Sequence, residues 1–135
     1  MDRQRSVLIV DHAETREVLQ TALERRGLRI FAADGARQGL ELARRHRPDL
    51  ILLDLEVEDC GPEILSAPFA AQSRAERIPL IMLGSVRRTG RRLPEGEFVA
   101  KPYHYGPLIR KIEELLETGR GIAVRHSRER SRDAL

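Results

Sequence analysis

Three short stretches of the chain are apolar almost without interruption: SVLIV at residues 6–10, LILLD at 50–54 and IPLIML at 78–83. A strand with one wet face alternates apolar and polar residues, whereas a strand that is apolar throughout is covered on both faces. Such runs fall far short of the roughly 18 to 20 residues of a membrane span. They fit a parallel sheet with helices on each side. No other feature of the chain restricts its fold as much.

The segments between these runs have helical spacing. Residues 13–26 place Val18, Leu19, Ala22 and Leu23 on one face, and Gly27 stands where a left-handed C-cap is wanted. LRIFA (28–32) reads as a second strand, and Arg29 places it near an edge. Asp34 is positioned to cap a helix over 35–46 with Leu40 and Ala43 inward, and Pro48 ends it. Residues 62–74 form a weaker helix, and EFVA (97–100) a short fifth strand. Leu108, Ile109, Ile112, Leu115 and Leu116 give 104–118 an amphipathic stripe. Strands alternating with helices imply right-handed crossovers and an α/β fold.

Ligands of such sheets sit beyond the carboxyl ends of the strands. Asp11, Asp54 and Gly84 follow the first, third and fourth strands, and Lys101 follows the fifth. Two acids and one lysine are therefore expected in a single crevice. For Asp54 alone the residues leave two readings open: a reacting carboxylate, or an acid that ends a strand and pairs with Lys101.

The net charge of +3 resides wholly in the tail. Between Gly119 and Leu135 stand Arg120, Arg125, Arg128, Arg130 and Arg132 against Glu129 and Asp133, so residues 1–118 are balanced. A neutral body with five aromatic residues and no helix-turn-helix argues against direct nucleic-acid binding. Cys60 is the single cysteine, which excludes an internal disulfide and fits a reducing compartment. Val7–Val10 is too short for a secretory segment and runs into Asp11. A cytoplasmic location without membrane contact is expected.

With VLIVDH (7–12), LILLDL (50–55), PLIML (79–83) and FVAKP (98–102) in this order, the chain resembles the receiver domain of bacterial response regulators over residues 5–118. The resemblance implies a flavodoxin-like, doubly wound, five-stranded parallel sheet in the order 2-1-3-4-5. It also implies that the acid at Asp54 accepts a phosphoryl group from a histidine kinase. A pair of acids after the first strand would hold magnesium, and a hydroxyl after the fourth strand and the lysine would contact the phosphoryl oxygens. A carboxylate attacks an anionic phosphorus centre poorly unless cations gather both.

The chain departs from that pattern in the pocket. Asp11, Asp54 and Lys101 are present, but His12 stands in place of the second acid and Gly84 in place of the hydroxyl residue. Ser85 could supply the hydroxyl only if the end of the fourth strand slipped or bulged by one residue, and a slip would turn its side chains to the opposite faces. Glu58 stands where the family has proline, and Phe98 keeps the aromatic switch position. Imidazole suits zinc or nickel better than magnesium. His12 is thus a hydrogen-bonded residue opening the first helix, a member of a weakened cation site through Asp11 and Asp54, or a transition-metal ligand. His46, His104 and His126 have no evident way to join it.

Residues 85–97 carry Gly90, Pro94 and Gly96 as breakers and Arg87, Arg88, Arg91 and Arg92 close together. The family's fourth helix is therefore expected to be shortened or irregular, and the arginines to form a solvated loop or an acidic-partner contact. The tail from 119 to 135 is expected to be disordered. Tyr103 and Tyr105 are expected to pack beside the last helix, and Cys60 to be a loop residue.

The resulting expectation is a non-enzymatic, receiver-like module. It would contact signalling proteins, a histidine kinase or a downstream regulator, with weak or absent magnesium-dependent phosphorylation. The alternatives are a conventional phosphoacceptor at Asp54 and a flavodoxin-like cofactor binder. The second is disfavoured because DHAET after the first strand is no glycine-rich phosphate cradle.

Overall fold

A computed structural model of the chain describes residues 3–85 and 96–119. Five strands, β1 (Ser6–Val10), β2 (Arg29–Ala33), β3 (Leu50–Asp54), β4 (Leu80–Ser85) and β5 (Glu97–Lys101), form one sheet in the order β2-β1-β3-β4-β5. All neighbouring pairs are parallel. Four helices complete the described residues: α1 (Ala13–Glu24), α2 (Ala36–His46), α3 (Pro62–Glu76) and α4 (Tyr105–Gly119). This is the flavodoxin-like architecture, and β2 with its Arg29 lies at an edge as expected. The expectations for the family's fourth helix, for the four arginines and for the tail fall on 86–95 and 120–135, outside the described residues.

The uninterrupted runs are explained by two cores, one on each side of the sheet. Leu8, Val10, Ile51, Leu53 and Met82 pack against Ala43 of α2 and Leu65, Phe69 and Ala70 of α3. Val7, Ile9, Leu50, Leu52, Ile81 and Leu83 pack against Leu19 and Leu23 of α1 and Leu108, Ile109, Ile112 and Leu116 of α4. Successive residues of β1 and β3 thus enter opposite cores, each large side chain contributing about 1.5–3 kcal/mol of burial.

Several boundaries differ from the sequence reading. β4 begins at Leu80 and runs through Gly84 to Ser85, and β5 includes Lys101, because each ladder continues past the apolar residues. Val18 is 47% exposed. Leu19 and Leu23, one turn apart, carry the buried stripe of α1, and Val18 lies on its flank. Asp34 does not cap α2; Gly35 is the N-cap residue, and the Ala36 N–H donates to Glu58 Oε2 at 2.8 Å. Gly27 has the positive φ expected of it, +86°.

Candidate functional site

The pocket is assembled by strand order. β1 and β3 are neighbours with Val10 opposite Leu53, so Asp11, the first residue beyond β1, and Asp54, the last of β3, come together at the carboxyl edge. Both are nearly fully buried, at 2% and 1% exposure. Asp11 Oδ1 accepts the His12 N–H at 2.6 Å. Asp54 Oδ1 accepts the Lys101 ammonium at 2.8 Å and the Glu56 N–H at 2.9 Å. The remaining oxygens, Asp11 Oδ2 and Asp54 Oδ2, are buried without a donor.

Two buried carboxylates side by side cannot both be charged cheaply. Burial pushes Asp11 up to about 7, and the hydrogen bond and charge of Asp54 add to it. Burial acts on Asp54 in the same direction, but hydrogen bonds from Asp11, Lys101 and the Glu56 N–H outweigh it and hold Asp54 below the ordinary carboxylate value. Burial and the neighbouring Asp54 thus favour a proton on Asp11, while the bonds to Asp54 favour its charged form. Burial disfavours the Lys101 charge, yet its bonds to Asp54 and Glu56 hold its pKa above the usual lysine value.

His12 occupies the N-cap position of α1 but makes no side-chain cap bond. Its Nε2 lies 3.7 Å from Asp54 Oδ2, with the ring largely exposed. Of the three readings for His12, hydrogen bonding at the helix start is not observed. Asp11, His12 and Asp54 together offer ligand atoms within 4.8 Å of one another. His46 lies elsewhere, stacked on Phe31 at 4.2 Å. His104 is exposed, and His126 is outside the described residues.

The register of β4 against β5 is unbroken, with Gly84 opposite Ala100 and Ser85 opposite Lys101. The slip that would move Ser85 into the place of Gly84 does not occur. A Cβ on Gly84 would lie 3.3 Å from Leu55 Cδ1 and 3.5 Å from Phe98 Cε1, so Phe98 lies against the position that lacks a side chain. Ser85 and Lys101 also line an open cleft with Thr15, Tyr103 and Tyr105. The two tyrosines meet edge to face at 5.7 Å beside α4, and Cys60 is exposed in the loop after β3.

Two glutamates with defined partners were missed in the sequence. Glu56 joins the pocket, its Oε1 accepting the Lys101 ammonium at 3.1 Å and its Oε2 accepting the Ser85 N–H at 3.0 Å. Glu58, in the family's proline position, caps α2. The only signal for either partner was an acid two and four residues after Asp54, a pattern that any solvated loop shows.

Asp11 Oδ2 and Asp54 Oδ2, with no donor from any other residue, are buried carboxylate oxygens of the kind a divalent cation takes. Asp11 and Asp54 would hold a divalent ion, which when bound would supply positive charge to an incoming phosphoryl group. The third donor within reach is a nitrogen, that of His12.

The family model described as the response regulator receiver domain matches residues 7–113. The KDP operon transcriptional regulatory protein KdpE of Escherichia coli K12 is 32% identical over 117 residues, covering 82% of this chain and 51% of KdpE. The transcriptional regulatory protein CseB of Streptomyces avermitilis is 32% identical over 123 residues, covering 86% of this chain and 51% of CseB. The chain spans about half the length of these curated relatives. The receiver domain of the TMAO respiratory system response regulator TorR has the same fold, with a TM-score of 0.70 at 21% identity over 83% of this chain and 96% of that one. So has the receiver domain of sensor histidine kinase PA1611 from Pseudomonas aeruginosa PAO1, which has magnesium in its active-site cleft. Its TM-score is 0.67 at 22% identity, covering 85% and 99% of the two chains.

Proposed function

This chain belongs to the response regulator receiver domain family, and from that premise we propose that it acts in two-component signalling chiefly through protein contacts, with weak or absent magnesium-dependent phosphorylation of Asp54. It works without catalytic turnover, in the cytoplasm, against a histidine kinase or a downstream regulator. The observation that carries this reading is the donor set around Asp54 Oδ2: one further carboxylate, Asp11, and the imidazole of His12 at 3.7 Å where a second acid would stand. Magnesium takes oxygen donors in near-octahedral geometry and gives up its waters reluctantly, so two carboxylates and a nitrogen hold it less well than three carboxylates would.

One observation favours the conventional phosphoacceptor reading. Against burial, hydrogen bonds from Asp11, Lys101 and the Glu56 N–H hold Asp54 toward its charged form, and neither Lys101 nor the Glu56 N–H engages its Oδ2. In that reading Oδ2 forms the new bond to phosphorus while the bond from phosphorus to the kinase imidazole breaks, its electron pair returning to nitrogen. Magnesium with beryllofluoride, a mimic of the acyl phosphate, separates the two in backbone NMR spectra. Under our reading the shifts are absent or stay at Asp54 and its neighbours. Shifts that spread to Ser85 and Phe98 at ordinary magnesium concentrations would overturn it.

A further inference from the structure

Among the polar contacts of the pocket, those of Glu56 are not explained by a cation site. Its backbone is tied to the phosphoacceptor candidate, since the Glu56 N–H donates to Asp54 Oδ1 at 2.9 Å. In its side chain each carboxylate oxygen has its own donor: the Lys101 ammonium, shared with Asp54, at 3.1 Å and the Ser85 N–H at 3.0 Å. These donors sit at the ends of β5 and β4 and are register partners, so one carboxylate spans both strand ends. The side chain is 26% exposed, which makes these charge-assisted bonds partly shielded from water.

A phosphoryl group on Asp54 Oδ2 would bring further anionic oxygens to the same edge. Gly84 supplies no hydroxyl, so the donors at hand for those oxygens are the Lys101 ammonium and the Ser85 N–H. Glu56 already takes the Ser85 N–H and one of the three ammonium protons, and Asp54 Oδ1 takes another.

We propose that Glu56 is an internal anion occupying the oxygen-binding place of a phosphorylated Asp54, so that the ends of β4 and β5 are held together with no phosphoryl group present. The proposal rests on reading Asp54 as the family's acceptor position. It adds a reason for weak phosphorylation that is separate from His12: an incoming anion must displace a tethered one. The surface that would signal the modified state is then presented continuously, with Phe98 already seated against Gly84.

The test compares the wild-type chain with Glu56→Gln and Glu56→Ala. Without ligand, the Ser85 amide proton resonance moves upfield in both variants as it loses a charged acceptor, while the core amide resonances stay in place and report an intact fold. Binding of beryllofluoride with magnesium, followed by fluorine NMR, tightens by about tenfold or more in Glu56→Ala relative to wild type, the loss of one charged competitor. An unmoved Ser85 amide, or equal or weaker beryllofluoride binding by the variant, overturns the proposal. Undetectable binding by both proteins counts as equal. The proposed function stands or falls on the absolute behaviour of the wild type, whereas this inference is read from the ratio of variant to wild type, so the two fail separately.

Discussion

The Lys101 ammonium reaches Asp54 Oδ1 at 2.8 Å across the full width of β4. It is the cation that compensates Asp54, whose side chain is fully buried. Removing one partner of such a pair leaves an uncompensated interior charge, which weighs more than the pair itself contributes.

Lys101→Met is accordingly expected to destabilise the fold by about 1–3 kcal/mol, a value moderated because the lysine is partly exposed. Asp54→Asn in the same chain removes the stranded charge and recovers much of the loss. Urea unfolding of the two single variants and the double variant closes the cycle; additive losses would show that the two residues are not coupled.

Stability should also depend on pH through Asp11. Unfolded, this carboxyl releases its proton near 3.8, but folded it holds the proton to about 7. Between those values the native state binds more protons than the unfolded chain, so stability falls as pH rises from about 4 to about 7 and then levels off, by an amount on the order of a few kcal/mol. Asp54 is shifted the other way and acts only below that window. Urea midpoints across the range should show the slope, and Asp11→Asn should flatten it relative to wild type.

Gly39 gives a prediction about packing. Alanine normally improves an exposed helix interior by about 1 kcal/mol over glycine. Here a Cβ would stand 2.8 Å from Val10 Cγ2 and 3.1 Å from Phe69 Cζ, both on fully buried residues. Overpacking costs about 1–3 kcal/mol, so Gly39→Ala lowers the melting temperature by several degrees. A rise in melting temperature would show that α2 can move away from the sheet.

The sheet was legible because its evidence is local: LILLD and SVLIV declare two buried faces in five residues each. Strand ends were less so, since β4 continues through Gly84 and Ser85 by pairing with β5, and pairing is not written in composition. Asp11, Asp54 and Lys101 could be placed together because backbone topology alone decides which strand ends are neighbours. The direction of the His12 ring could not, for it depends on a side-chain torsion. The partners of Glu56 and Glu58 were not legible because they lie 22 to 45 residues away and no periodicity connects them.

Restoring the family's residues at two positions should have unequal effects. His12→Asp replaces a nitrogen 3.7 Å from Asp54 Oδ2 with an oxygen donor and adds negative charge beside both orphaned oxygens. Magnesium affinity is expected to rise about tenfold, with a greater rise above the pH at which Asp11 loses its proton. In Gly84→Thr the added Cβ stands 3.3 Å from Leu55 Cδ1, closer than ordinary contact, and an ordinary 3.5 Å from Phe98 Cε1, so it weakens the fold by about 1 kcal/mol unless Leu55 yields. The double variant should therefore bind magnesium about as tightly as His12→Asp alone while unfolding at lower urea. Magnesium titrations of the three variants by NMR decide the matter. An unchanged dissociation constant in His12→Asp would mean that the imidazole is not what limits the cation site.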